Sequence, residues 1–310
     1  MSGLDGDRRL EILDSLVYAD VFDCALTFDE LRCYARVPVE PEALRELLRD
    51  APAVAQLIVE RDGLYCLRDR PELLDRRPPR MARALVLQRR ARRVARVIGK
   101  LPFVRGVMLT GSAAAQDAGD DADVDLLIVV APRRLGLTFL LLGSASRLLG
   151  RALFCPNYYV CEGHLGTTAG SLYFAREAQQ ARGLVGDGRA LFDANPWLAE
   201  VFPNATAPAP VAELTSGGRL QRGLELPLRG RLGERLERWA RGVAASRLEV
   251  HYGSLGHDVP EEVAADLEAG RSLRFHRGRV DEIALERHTA RRAEVASLLA
   301  AAEAAAAIRS

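Results

Sequence analysis

Residues 110–130 read TGSAAAQDAGDDADVDLLIVV, and this stretch decides the fold. A short apolar segment, VML at 107–109, precedes it, and the apolar run 126–130 ends it. Five aspartates lie between residues 117 and 125, directly before that second run. Like charges repel and lose hydration when buried. The acids must therefore be solvated in a loop or neutralised by cations.

A turn and two carboxylates form the chemical pattern. Gly111 lacks a Cβ atom, so backbone or a phosphate can approach it closely. Ser112 is predicted to cap a short helix, AAAQ, whose free N–H groups would face an anion. Asp123 and Asp125 are two residues apart, so on a strand they project from one face. Together they predict an oxygen-ligand site for Mg²⁺ carrying a phosphate.

This arrangement resembles the polymerase-β-like nucleotidyltransferase superfamily, in which hydrophobic-Gly-Ser is followed by a loop and by Asp-x-Asp in a strand. Here the pattern reads LTGS, then residues 113–122, then DVDLL. The layout of the whole chain also resembles a bacterial group of uncharacterised nucleotidyltransferase-domain proteins. Two segments carry that second resemblance, VYADVFDCALT at 17–27 and RSLRFHRGRVDEI at 271–283.

The resemblance implies a Mg²⁺-dependent nucleotidyltransferase. Such an enzyme transfers a nucleoside monophosphate from an NTP, with ATP as the default, to a hydroxyl on a small molecule or protein, and releases pyrophosphate. Gly111 and Ser112, with the amides that follow, would hold the phosphates. Asp123 and Asp125 would bind the metals in a two-metal arrangement. The loop acids Asp117, Asp120 and Asp121 are expected to be solvated.

The superfamily usually adds a third carboxylate from a neighbouring strand. Glu162 is the only acid between Asp125 and Glu177, and it follows the strand-like segment NYYVC. We therefore predict Glu162 as the third catalytic and metal-binding acid. This requires NYYVC to lie parallel to DVDLLIVV; a mixed or antiparallel arrangement would instead place Asn157 or Tyr159 near the metals. In that case Glu162 is a surface glutamate at the end of a strand.

An alternative function remains open. Many relatives have Ser where this chain has Ala122, and Gly or Arg where it has Ala115 and Gln116. These differences are compatible with a catalytically weak nucleotide-sensing or DNA-binding regulator that retains the fold. The segment 76–100 contains ten basic residues and no acid, which favours an anionic partner. Acids in the predicted helix EPEALRELLRD disfavour nucleic acid.

The sequence predicts three parts in an α+β fold. Residues 1–78 resemble a winged helix: three helices, the second capped by Thr27 with Glu30, precede a hairpin at Asp62-Gly63. Residues 79–207 would form a nucleotidyltransferase domain with a small mixed β-sheet. Residues 208–310 would form a helical region that closes the other side of the active-site cleft, opposite the nucleotidyltransferase domain. Pro78 and Pro79 are predicted to mark the first joint, and the segment 271–276 is predicted to be a loop.

Bulk composition excludes several classes of partner. The net charge is +1, so no global field attracts nucleic acid or a membrane surface. Five cysteines without CxxC spacing fit a reducing cytoplasm. No apolar run is long enough to span a bilayer. We expect a cytoplasmic protein whose partners are an NTP and an unidentified acceptor, and the sequence leaves the oligomeric state open.

Overall fold

The computed structural model describes residues 6–150, 153–167, 170–206, 218–275 and 280–309. Helices make up most of this part of the chain. They are α1 (Gly6–Val21), α2 (Phe28–Cys33), α3 (Pro41–Asp50), α4 (Pro52–Leu57), α5 (Glu72–Ile98), α6 (Gly111–Ala114), α7 (Leu135–Leu149), α8 (Leu172–Gln180), α9 (Ala190–Asp193), α10 (Leu198–Val201), α11 (Arg219–Glu225), α12 (Arg231–Ser254), α13 (Glu261–Glu268) and α14 (Val280–Arg309), with a 3₁₀ turn at Leu226–Leu228.

Eight strands form two sheets. The strands are β1 (Leu26–Thr27), β2 (Ile58–Arg61), β3 (Leu64–Leu67), β4 (Val104–Leu109), β5 (Asp125–Val130), β6 (Cys155–Cys161), β7 (Arg182–Val185) and β8 (Ser272–Arg274). The small sheet has the order β1-β3-β2 and is antiparallel. The main sheet has the order β7-β4-β5-β6-β8, in which only β5 and β6 run parallel. The chain is therefore α+β with a small mixed sheet, as the sequence predicted.

The N-terminal segment follows its local sequence signals. Thr27 caps α2: its hydroxyl accepts from the N–H of Glu30, and its own N–H donates to the Glu30 carboxylate. Asp62 and Gly63 form the turn between β2 and β3 with φ of +54° and +74°. Both angles are left-handed, as the tightest hairpin turns require. The predicted cap and hairpin are confirmed.

Helix α5 corrects the predicted joint at Pro78 and Pro79. It runs without interruption from Glu72 to Ile98, so the boundary placed between residues 78 and 79 falls inside a helix. A proline removes one helical hydrogen bond but need not end the helix. Downstream residues of α5 pack on the core of the main sheet and hold the helix in place.

The main sheet is covered on both faces. Helices α5, α7 and α12 pack on one face and α8 to α10 on the other. Alternation along β5 directs Leu126 and Ile128 to the first face and Leu127 and Val129 to the second. By the same alternation Asp125, at the start of β5, lies on the face covered by α8.

The C-terminal residues divide between two cores. Helix α12 packs against α7, and β8 extends the main sheet by pairing with β6. The segment predicted as a loop at 271–276 therefore contains a strand, Ser272–Arg274, while His276 lies outside the described residues. Helix α14 instead packs on α1 and α4, where Val295 and Leu299 enter the N-terminal core. The last helix thus joins the N-terminal segment.

Across the described ranges, no helix combines the length and the apolar character needed to cross a bilayer.

Candidate metal and nucleotide site

The turn after β4 brings backbone close to a carboxylate. Helix α6 begins at Gly111, whose φ is +66°, and a Cβ atom there would lie 2.6 Å from Oδ2 of Asp125. Only glycine therefore fits this contact without strain. Thr110 occupies the N-cap position and makes no side-chain cap bond. The prediction that Ser112 is the N-cap was wrong, because the helix starts one residue before it.

Three possible metal ligands converge beside this turn. Asp123, Asp125 and Cys155 each offer one atom, and these atoms lie within 4.8 Å of one another. All three residues are partly buried. The parallel pairing of β5 with β6 places Cys155 opposite Asp125, and the Cys155 N–H donates to the Val124 carbonyl at 2.8 Å. The two aspartates thus meet as the sequence indicated, and a thiol completes the group.

Asn157 orients one of the aspartates. Its Nδ2 donates a hydrogen bond of 2.8 Å to Oδ1 of Asp125. This bond leaves Oδ2 of Asp125 on the side of Gly111. The sequence reasoning missed Cys155, and it placed Asn157 near the metals only for a mixed or antiparallel arrangement, whereas β5 and β6 are parallel. The signal that identifies them is the crossover helix α7, since a crossover between parallel strands returns the chain to the end where β5 begins.

Glu162 lies at the other end of the sheet. It follows β6, and its N–H donates to the carbonyl of Val130, the last residue of β5. Along the strand direction Glu162 is therefore six residues from Asp125, or about 20 Å at 3.3 Å per residue. The Glu162 side chain is exposed. The prediction that Glu162 shares a metal with the aspartates was wrong, because in parallel strands the first residues, and not the last, lie beside Asp125.

A different glutamate lies at the turn. Glu177 on α8 accepts a 3.2 Å hydrogen bond from the N–H of Gly111. Burial raises the pKa of Glu177, although the Gly111 N–H and the charge of Arg176 act in the opposite direction. Burial also raises the pKa of Tyr173, one turn before it, and the negative charges of Glu177 and Asp125 add to that rise. The turn that would receive phosphate therefore already holds a carboxylate.

Two of the remaining loop acids pair with arginines of α5, whereas the third, Asp121, is exposed as expected. Asp117 is only 11% exposed and lies 3.5 Å from Arg77 and 3.1 Å from Arg80. Asp120 pairs with Arg83. The expectation that Asp117 is solvated was wrong, since the basic segment 76–100 supplies its counter-charges. The arginine charges therefore offset the repulsion between the loop aspartates at the edge of the apolar core.

The donor set fits a divalent cation. Carboxylate oxygens suit Mg²⁺ and Mn²⁺, and a thiolate suits softer metals such as Zn²⁺. The site therefore offers two hard ligands and one soft ligand beside the Gly111 turn. No family model, curated protein or solved structure matches this chain.

Proposed function

We propose that this chain is a divalent-metal-dependent nucleotidyltransferase that transfers a nucleoside monophosphate from an NTP to a hydroxyl acceptor. The observation that carries the proposal is the convergence of Asp123 and Asp125 with Cys155 beside the Gly111 turn. In the reaction, the acceptor oxygen bonds to the α-phosphorus, the bond from that phosphorus to the bridging oxygen breaks, and pyrophosphate leaves. The proton of the acceptor hydroxyl passes to solvent.

Each side chain of the site has a role in this proposal. Asp123 and Asp125 hold Mg²⁺, and the Asn157 amide keeps Asp125 in its ligating orientation. A bound divalent cation neutralises charge on the transferring phosphoryl group. Gly111 and Ser112 receive the terminal phosphates through backbone amides, after Glu177 releases the Gly111 N–H. Glu162 has no part in the chemistry.

The proposal also assigns a role to each part of the fold. We take the main sheet, with α5 and the helices on its two faces, as the nucleotidyltransferase domain. The N-terminal segment, with α1 to α4 and the β1-β3-β2 sheet, has the element order of a winged helix. Because α14 packs on α1 and α4, we interpret this segment as a packing module that ties the two ends of the chain together.

A thermal-shift panel tests the proposal. Each of the four NTPs is added with and without Mg²⁺ to the wild type and to Asp123→Asn, Asp125→Asn and Glu162→Gln. A ligand at a hundred times its Kd adds about 2.7 kcal/mol to the stability of the folded state. We expect a Mg²⁺-dependent rise in Tm for at least one NTP, which both aspartate variants lose and Glu162→Gln retains. Equal Tm rises in all four proteins would contradict the proposed ligands.

One surface favours a second candidate function, a nucleic-acid-binding regulator. Exposed basic side chains lie along the second half of α5 and just after its end: Arg89, Arg92, Arg93, Arg96 and Lys100. Its signature would be duplex binding that weakens steeply with salt, because each phosphate contact releases counterions. Flat titrations at low salt would exclude this function, and binding that Arg92→Gln and Arg96→Gln weaken would support it.

A further inference from the structure

A cavity lined by charged residues lies at the opposite end of the main sheet from the aspartates. Its volume is about 370 Å³. Residues just after β5 and at the end of β6 form part of its wall, together with α12 and the loop before β8. Since β5 separates the two sites, the cavity is about 20 Å from Asp125 at 3.3 Å per residue. It is therefore a separate site.

Arginines outnumber acids in the wall of the cavity. The charged residues that line it are Arg133, Arg134, Arg238, Arg241, Glu234 and Glu237. Four guanidinium groups against two carboxylates leave an excess of positive charge. Arginine presents several N–H donors in a plane that matches phosphate oxygens. The cavity is thus suited to an anion.

Both carboxylate oxygens of Glu237 accept hydrogen bonds from the protein backbone. It is buried, and its two oxygens accept from the N–H groups of Gly136 and Leu137, the first turn of α7, at 2.8 and 3.0 Å. This carboxylate satisfies a helix N-terminus. Its hydrogen bonds therefore go to the helix, and its charge offsets only part of the positive charge of the nearby Arg241.

Arg241 retains an unused donor at this position. Its Nη1 donates to the Glu268 carbonyl at 2.7 Å, but its buried Nε has no hydrogen-bond partner within the described part of the chain. The nearest acid oxygen, Oε1 of Glu237, is 3.6 Å away, beyond hydrogen-bond distance. Nε itself is closed off from the cavity, but a guanidinium carries five N–H donors, so Arg241 keeps further donors beside the one that bonds Glu268.

Arg238 adds a second available cation. It is exposed, lies on the same helix as Arg241, and has no ion-pair partner among the residues described. Arg134, in contrast, is buried and donates to the carbonyls of Arg133 and Leu228. Arg133 pairs with Glu234 at 2.7 Å. The two arginines of α12 are therefore the groups that a ligand would contact.

We propose that this cavity binds a phosphate group, either as inorganic phosphate or as the phosphate of a small metabolite. Arg238 and Arg241 contact the phosphate oxygens, and Glu234 opposes binding through its like charge. The proposal is independent of the nucleotidyltransferase chemistry, because no residue of the cavity belongs to the aspartate site.

The test is calorimetric titration of the full chain with inorganic phosphate, in EDTA so that no divalent metal contributes. We expect saturable binding that Arg238→Gln and Arg241→Gln each weaken about tenfold or more, as the loss of a charge-assisted hydrogen bond implies. Glu234→Gln should tighten binding. Arg235→Gln, an exposed arginine of the same helix outside the cavity, is the matched control and should bind as the wild type does.

Several results would overturn the proposal. One is an absence of saturable phosphate binding, and another is equal affinity in Arg238→Gln, Arg241→Gln and Arg235→Gln. Circular dichroism of each variant checks folding, and Arg238→Gln keeps the test decisive if Arg241→Gln fails to fold. Parallel titrations with ribose 5-phosphate and ribose show whether the ligand is a phosphorylated metabolite or free phosphate. Tighter binding of ribose 5-phosphate than of inorganic phosphate indicates a metabolite, and equal affinity for the two indicates the free ion.

Discussion

The carboxylate of Asp125 lies against the Cα atom of Gly111, so closely that a Cβ at residue 111 would be 2.6 Å from Oδ2. The φ of +66° at Gly111 adds a second reason for glycine. We predict that Gly111→Ala displaces Asp125 and weakens metal binding. A left-handed non-glycine residue costs about 1–2 kcal/mol, so the free energy of unfolding should fall by at least that amount.

Gly119→Ala is the matched control for that change. It lies in the same loop, its φ is not in the left-handed region, and nothing lies within 4 Å of a Cβ placed there. Chemical denaturation and Mg²⁺ titration should leave Gly119→Ala close to the wild type. If Gly111→Ala also matches the wild type in stability and in Mg²⁺ affinity, the contact with Asp125 contributes to neither.

Cys155 should determine which metal the site prefers. A thiolate beside two carboxylates favours Co²⁺ or Zn²⁺ over Mg²⁺. Titration with Co²⁺ should therefore produce a sulfur-to-metal charge-transfer band, which Cys155→Ser abolishes and the control Cys33→Ser retains. Cys155→Asp should tighten Mg²⁺ binding about tenfold, since added ligand charge raises affinity for hard cations. A band that survives in Cys155→Ser would show that another cysteine binds the metal.

Glu177 should make stability depend on pH. Burial raises its pKa in the folded state. A carboxyl whose pKa is raised by folding stabilises the folded state fully at pH values below its unfolded-state pKa, about 4.3. This stabilisation is lost as the pH rises through its folded-state pKa. Glu177→Gln should therefore raise Tm at pH 7.5 but not at pH 4. The exposed Glu200→Gln should show no such difference, and a lower Tm for Glu177→Gln at pH 7.5 would refute the assignment.

The sequence predicted the parts of the site that are local in the chain. Gly111, Asp123 and Asp125 flank one loop, so their spacing was enough to bring them together, although β5 begins at Asp125 and Asp123 precedes it. Cys155 and Asn157 depend on the direction of β6, and Glu177 depends on how α8 packs across the sheet. Apolar periodicity carries neither piece of information.

The fold shows the same division between local and distant signals. The Thr27 cap and the Asp62-Gly63 hairpin follow from adjacent residues. Helix α5 continues through Pro78 because distant side chains pack its later turns. The docking of α14 on α1 depends on groups nearly the whole chain apart, among them His288 and Asp14.

Asp14 should hold that docking in place. It is 1% exposed, accepts from His288 at 2.8 Å and from Arg292 at 3.1 Å, and lies 3.5 Å from Arg36. Burial raises the pKa of Asp14, but the bond from His288 and the arginine charges outweigh it and hold the pKa below the usual value. Asp14→Asn should lower the free energy of unfolding by about 3 kcal/mol.

The pH dependence and a control complete that prediction. Since the folded pKa of Asp14 is depressed, its contribution is present above the unfolded value of about 3.9 and is lost as pH falls through the folded value. The control is Glu303→Gln, which breaks the partly exposed pair of Glu303 with Arg9 on the same helix interface. That change should cost less than about 1 kcal/mol. Equal costs for both variants would mean that the Asp14 network has no special role.

Pyrophosphate release tests the central claim most directly. Each NTP is incubated with Mg²⁺ or Mn²⁺ and a protein-free extract of small metabolites, and pyrophosphate is measured for the wild type, Asp123→Asn, Asp125→Asn, Asp121→Asn and Glu162→Gln. We predict metal-dependent release that Asp123→Asn and Asp125→Asn each reduce about a hundredfold or more, because the metal contributes several kcal/mol of charge stabilisation. The exposed Asp121 and Glu162 should be replaceable without loss. Wild-type rates in Asp123→Asn and Asp125→Asn, or a collapse in Glu162→Gln alone, would contradict the account.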